Sequence, residues 1–117
     1  MQTVECAQAR DGGTRPVPSD AQMAQAIVAH AYDVRLKDMR AFTRRGPRAA
    51  FARQLAMYLS HIVLGMSVSG VSAAFERHRS TVCHALHHIE DLRDDAEFDR
   101  TVLYLEAVLR RATGGAA

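Results

Sequence analysis

SVSGVSAAFERHRSTVCHALHHI, residues 67–89, divides into two short helical patterns around a tight polar turn. The first pattern runs from about Ser67 to Phe75. Ser67 can cap it by accepting a bond from an early backbone N–H, and Val68, Val71, Ala74 and Phe75 give it an apolar stripe at helical spacing. Glu76-Arg77-His78-Arg79 forms the turn. The second pattern opens at Ser80-Thr81 and carries Val82, Ala85, Leu86, Ile89 and Leu92 on one face. Its other face shows Ser80, Thr81, His84, His87 and His88, all able to hydrogen-bond and none acidic. A short supporting helix, a basic turn and a polar second helix match the helix-turn-helix design, in which the second helix enters the major groove of DNA. The hairpin is placed at 67–92.

Outward from the hairpin the chain reads as helix throughout. Arg48 to about Leu64 repeats Phe51, Leu55, Tyr58, Leu59, Ile62 and Val63, a wide stripe that marks the central core helix, with Gly65 as its stop. Before it lies a basic loop, Phe42-Thr43-Arg44-Arg45-Gly46-Pro47, with Pro47 suited to a first helical turn. Leu36 to Ala41 is a short helix with Leu36 and Met39 inward. Ser19-Asp20-Ala21-Gln22 reads as a capping box opening a helix to about Ala31, with Met23, Ala26, Ile27, His30 and Ala31 as its stripe and His30 half-buried. After the hairpin, Asp95 can cap a last helix from about Ala96 to Arg111 that packs through Phe98, Val102, Leu105 and Leu109. The expected architecture is all-α: about six helices in one domain over residues 19–111, between flexible tails at 1–18 and 112–117.

The whole chain has a net charge of only +2, but the charge is unevenly distributed. Residues 35–79 hold nine basic side chains against Asp38 and Glu76, whereas the remainder holds six basic and eleven acidic. A basic centre between acidic ends implies one face directed at a polyanion. Cys6 and Cys83 are the only cysteines, too few for a disulfide framework, so a reducing cytoplasm is expected. No signal-peptide pattern and no run of membrane-spanning length appears, and no membrane partner is expected.

Ala52-Arg53-Gln54-Leu55-Ala56-Met57-Tyr58-Leu59, then Val71-Ser72-x-Ala74-Phe75 and Ser80-Thr81-Val82-x-His84-Ala85 with Ile89, resemble the C-terminal DNA-binding domain of the bacterial replication initiator DnaA. The likeness covers about residues 22–110. It implies a Trp-repressor-like helical domain that reads a short asymmetric site in double-stranded DNA as a monomer, within the cytoplasmic nucleoid. The second hairpin helix would lie in the major groove and an arginine of the basic loop in the minor groove. By position Arg45, eight residues before Arg53, matches that arginine, and a guanidinium suits a narrow, electronegative groove. Arg44, Arg48 and Thr81 would hold phosphates, Arg77, His78, Arg79 and Ser80 would read or approach base edges, and His84 would contact a phosphate or a base. His61 matches a position where the family tends to place a phosphate-touching lysine.

The departures from the family bear on specificity. The family usually has Gly-Gly-Arg-Asp-His-Thr-Thr where this chain has Glu76-Arg77-His78-Arg79-Ser80-Thr81, one turn residue fewer. His78 replaces an aspartate and Arg79 a histidine. An aspartate accepts from base amino groups, whereas an arginine donates to guanine O6 and N7, so a different base code is expected. Ser72 replaces a glycine, and a slightly wider hairpin is expected from it.

His84, His87 and His88 lack the Glu of an HExxH motif and a clear third ligand, so no metal is expected. No GxxxxGK[ST] loop occurs, hence no ATPase module of the chain's own, and no nucleophile–base arrangement, hence no catalysis and no cofactor. The expected role is regulation of replication initiation or of transcription. The replication initiator or other replication proteins are candidate partners. The alternative is an interaction module that binds a replication protein without reading DNA.

Overall fold

The computed structural model describes residues 18–41 and 46–114. They form six α-helices with no strand among them: α1 (Pro18–Ala31), α2 (Leu36–Arg40), α3 (Pro47–Ile62), α4 (Val68–Phe75), α5 (Arg79–Leu92) and α6 (Ala96–Thr113). No helix among these residues is long and apolar enough to cross a membrane.

The organising element is α3. Leu55, Ala56, Met57, Tyr58, Leu59 and Ser60 are buried in succession, so this stretch is enclosed on every side rather than along one stripe. Helices α1 and α5 pack against it most extensively, α2 and α4 lie on it as well, and α6 closes over α1. Ser60 sits in that apolar surround because its hydroxyl donates to the Ala56 carbonyl at 2.9 Å. The helix ends at Ile62, before the expected Leu64. His61 then donates from Nδ1 to the Met66 carbonyl at 2.8 Å, which holds the short link into α4.

The face that α1 buries differs from the one the sequence implies. Ala21, Ala24, Gln25, Val28 and Ala29 are buried, whereas Met23, Ala26, His30 and Ala31 are exposed and Ile27 is only partly covered. The stripe built on the larger side chains is thus out of phase, and His30 is not half-buried. The physical reason is close approach. Small side chains let two backbones come together, and α3 buries alanines of its own at 49, 52 and 56. Similar, smaller corrections fall at helix ends. Leu36, Ile62 and Leu92 are exposed at the first or last residue of their helices, and Ala74 faces solvent near the end of α4.

The first and last helices also extend past their expected ends. Pro18 already belongs to α1, so Ser19 is within the helix; its side chain, and residues 1–17 of the expected tail, lie outside the described residues. At the other end α6 continues through Thr113 and stops at Gly114, which adopts φ 76°, a conformation glycine takes without strain. Asp95 caps α6 as expected, accepting from the Phe98 N–H at 2.9 Å.

Arg93, at the end of α5, joins three helices. Its Nε donates to Asp99 at 2.6 Å, and one terminal nitrogen donates to Glu106 at 2.9 Å and to the Tyr58 hydroxyl at 3.0 Å. Tyr58 in turn donates to Glu90 at 2.6 Å. Nothing local in Arg93-Asp94-Asp95 signals this network, because Glu106 and Tyr58 lie 13 and 35 residues away. Removing the cation leaves the buried Glu106 carboxylate uncompensated, so Arg93→Ala is expected to cost about 3–5 kcal/mol. Adding Glu106→Gln should return part of that loss in urea melts. A second measurement concerns alkaline pH. Burial and the bond to Glu90 push the Tyr58 hydroxyl up to about 12 from 10. Its folded value is raised, so the stabilisation is complete below pH 10 and declines as pH rises from 10 through 12. Tyr58→Phe should be less stable than the parent at pH 8, with the difference narrowing across that window.

Candidate nucleic-acid interface

The hairpin tip is built from α4, its turn and the first turn of α5. Ser67 caps α4, its Oγ accepting from the Gly70 N–H at 3.0 Å. At the other end Glu76 takes the left-handed conformation, φ 55° and ψ 49°, and closes a Schellman motif: the Arg77 N–H donates to the Ser72 carbonyl at 3.1 Å and the Glu76 N–H donates to Ala73. Ser72 also donates from its hydroxyl to the Arg77 carbonyl. Ser72 and Arg77 are therefore bonded in both directions across the turn. Ser72 thus pins the turn. This reciprocal pair is a feature the sequence reading missed; the only signal was that Ser72 departs from the family's glycine.

The second helix begins at Arg79, one residue before the expected Ser80. His78 occupies the N-cap position with extended backbone and no capping bond from its side chain. His78, Arg79, Ser80, Thr81 and His84 are all exposed, and the first turn of α5 carries no acidic residue. The positive end of the α5 dipole and its unsatisfied N–H groups thus open to solvent beside Arg79. His87 is exposed too, whereas His88 sets its ring edge against Phe51, 6.4 Å between centroids. Among the described residues no group of three His, Cys, Asp or Glu side chains is placed to hold a metal ion.

Arg77 has a different setting from its neighbours. Its terminal nitrogen donates to the Ala41 carbonyl at 2.6 Å, across 36 residues of chain. Ala41 is the last described residue before the basic loop, and Gly46, with φ 102°, is the first after it and precedes Pro47. One end of the loop is therefore fastened to the hairpin turn. Arg48, in the first turn of α3, is exposed, and that turn also lacks acidic residues. Arg44 and Arg45, the loop arginines assigned to phosphate and minor groove, lie outside the described residues.

A second guanidinium stands behind this corner. Arg53 donates from Nε to the Met39 carbonyl at 2.7 Å, fixing α2 on α3. Burial first, and then the positive charge of Arg77, hold its pKa below the ordinary arginine value. The Arg53–Arg77 repulsion places two positive charges near each other between α3 and the hairpin turn. His61, by contrast, has Nδ1 committed to Met66, which leaves its Nε2 side alone for any outside contact.

The family model described as the bacterial dnaA protein helix-turn-helix matches residues 21–89. A solved structure titled as a DNA replication initiation factor aligns with 29% identity and a TM-score of 0.72, over 79% of this chain and 28% of that one. The replication initiator DnaA solved with AMPPCP and single-stranded DNA aligns at 28% identity and TM-score 0.67, over 77% of this chain and 27% of its own. AMPPCP-bound DnaA from Aquifex aeolicus gives 26% and 0.69, over 80% and 28%. The chain spans less than a third of the length of these initiators. The family match takes in most of its helices, the hairpin included, and the fold agrees: the chain belongs to the bacterial DnaA helix-turn-helix family.

Proposed function

We propose that this chain binds double-stranded DNA in a sequence-selective way and thereby regulates replication initiation or transcription. The observation that carries the reading is the Arg77–Ala41 bond, because it holds the base of an arginine-rich loop against the tip of the helix-turn-helix. A duplex laid on this corner would meet the open, cationic first turn of α5 in its major groove and the loop beside it. In that arrangement Arg79 and His78 read base edges, with Ser80 and His84 next to them. Thr81, Arg48 and Arg44 hold phosphates and Arg45 enters the minor groove. Arg77 acts as a positioning residue, since its guanidinium already bonds within the protein. The chain is a binding module in this reading and performs no catalysis.

The turn sets the specificity. With Arg79 at the first position of α5 and one turn residue fewer than the family pattern, guanine O6 and N7 become the favoured contact there. Glu76 is the carboxylate nearest this surface in sequence, and it occupies a left-handed position that costs a non-glycine residue about 1–2 kcal/mol. Glu76→Gly is therefore expected to raise stability by about 1 kcal/mol and to tighten DNA binding, as measured by chemical melts and fluorescence anisotropy. The direct test selects bound fragments from random and genomic DNA and titrates the best one against salt. About five phosphate contacts predict a slope of log affinity on log salt of roughly −4 to −5. Arg79→Ala should lose roughly 1–3 kcal/mol of discrimination at one base position. A flat salt response, or retention by partner proteins that survives nuclease digestion, would favour the interaction-module reading instead.

A further inference from the structure

The exposed face of α6 belongs neither to the corner described above nor to the residues 21–89 that the family model matches. Among the described residues, the two large apolar side chains most open to solvent stand next to each other on this helix: Tyr104 at 68% and Leu103 at 51%. Val102, Leu105, Glu106 and Leu109 turn inward, so the opposite side of α6 presents Glu97, Arg100, Tyr104, Ala107 and Arg111, all exposed. These five recur at alternating spacings of three and four, the pattern of a helix-pairing seam. A tyrosine at the centre of such a seam suits an interface, since it contributes a large rigid area and keeps its hydroxyl wet.

The charges say what covers the seam. Glu97 lies one heptad before Tyr104 and Arg111 one heptad after it, on the same face. When two copies of α6 lie antiparallel with their two-fold axis at Tyr104, Glu97 of each copy comes opposite Arg111 of the other. Both ends of the seam are then paired, and the helix dipoles run head to tail. A parallel pairing would set Glu97 against Glu97 and Arg111 against Arg111. We propose that this face pairs with a second copy of the chain, forming an antiparallel α6–α6 dimer about Tyr104. A single-helix seam buries less area than a standard protein interface, so the dimer is of the weak class. The pairing is independent of the DNA-binding reading, because none of the residues assigned to DNA lies on α6.

The test is sedimentation velocity of the full chain without DNA, from low micromolar to several hundred micromolar. The wild type should move from monomer to dimer across that range. Tyr104→Lys should raise the Kd at least tenfold while leaving the helical circular dichroism and the urea midpoint in place. Glu97→Arg alone should do the same, and Glu97→Arg combined with Arg111→Glu should restore the dimer. A wild type that stays monomeric throughout, leaving the face to some other partner, overturns the proposal. So does a charge-swapped double variant that fails to recover dimerisation while remaining folded.

Discussion

Tyr58 brings a hydroxyl into the one stretch of helix that is enclosed on every side, and the rest of the structure is arranged around satisfying that oxygen. Its ring is buried with Leu55 and Leu59, but a phenolic O–H taken from water needs partners. The partners come from α5 and the residue that caps it. Glu90 on α5 accepts from the hydroxyl, and Arg93 just beyond α5 donates to it. A guanidinium at that depth needs its own compensation, which Asp99 and Glu106 of α6 supply. The network about this oxygen on α3 thus ties the end of α5 and two residues of α6 together. The three hydrogen bonds outweigh the desolvation of Arg93, whose pKa is raised above its ordinary value.

That arrangement holds α5 at its C-terminal end and leaves its N-terminal end for contact with something outside. The apolar side of the helix, Val82, Ala85, Leu86 and Ile89, is fully committed to the core. At the N-terminal end the turn is held in a different manner, by backbone geometry and the reciprocal Ser72–Arg77 bonds rather than by burial. The division suits a reading helix. Its axis is fixed by packing far from the tip, while the residues at the tip stay exposed on a backbone with little freedom.

The hairpin was legible in the sequence because its signals are local and agree with one another. Ser67 as a cap, the Val68/Val71 stripe, a polar turn and the Val82–Ile89 stripe all specify the same two helices, and the structure departs by a residue at most. The cap at Asp95 was legible for the same reason. What the sequence did not reveal depends on partners distant in the chain. The buried face of α1 is set by alanine-lined close approach, which a periodicity weighted toward large side chains mistakes for the opposite face. The Tyr58–Arg93 pairing spans 35 residues and the Arg77–Ala41 pairing 36, and nothing near either residue announces its partner. In the site, exposure of the α5 tip followed from pattern, whereas the separation of Arg77 from its neighbours required coordinates.

The placement of acidic residues gives the uneven charge along the chain a structural meaning. Glu90, Asp99 and Glu106 are engaged with Tyr58 and Arg93, Asp95 is engaged at the head of α6, and Asp38 pairs with Arg35 on α2. Carboxylates are thus drawn into the frame, away from the first turns of α3 and α5, where none is found. The arginines divide the other way. Arg53 and Arg93 are bonded inside, and Arg48 and Arg79 stand in water at the corner. Ion pairing in the frame compensates its charges at short range, so within a Debye length of about 8–10 Å of the corner an approaching charge meets chiefly the exposed arginines. A chain of net charge +2 can in this way carry a strongly positive corner while the rest of the chain is on balance acidic.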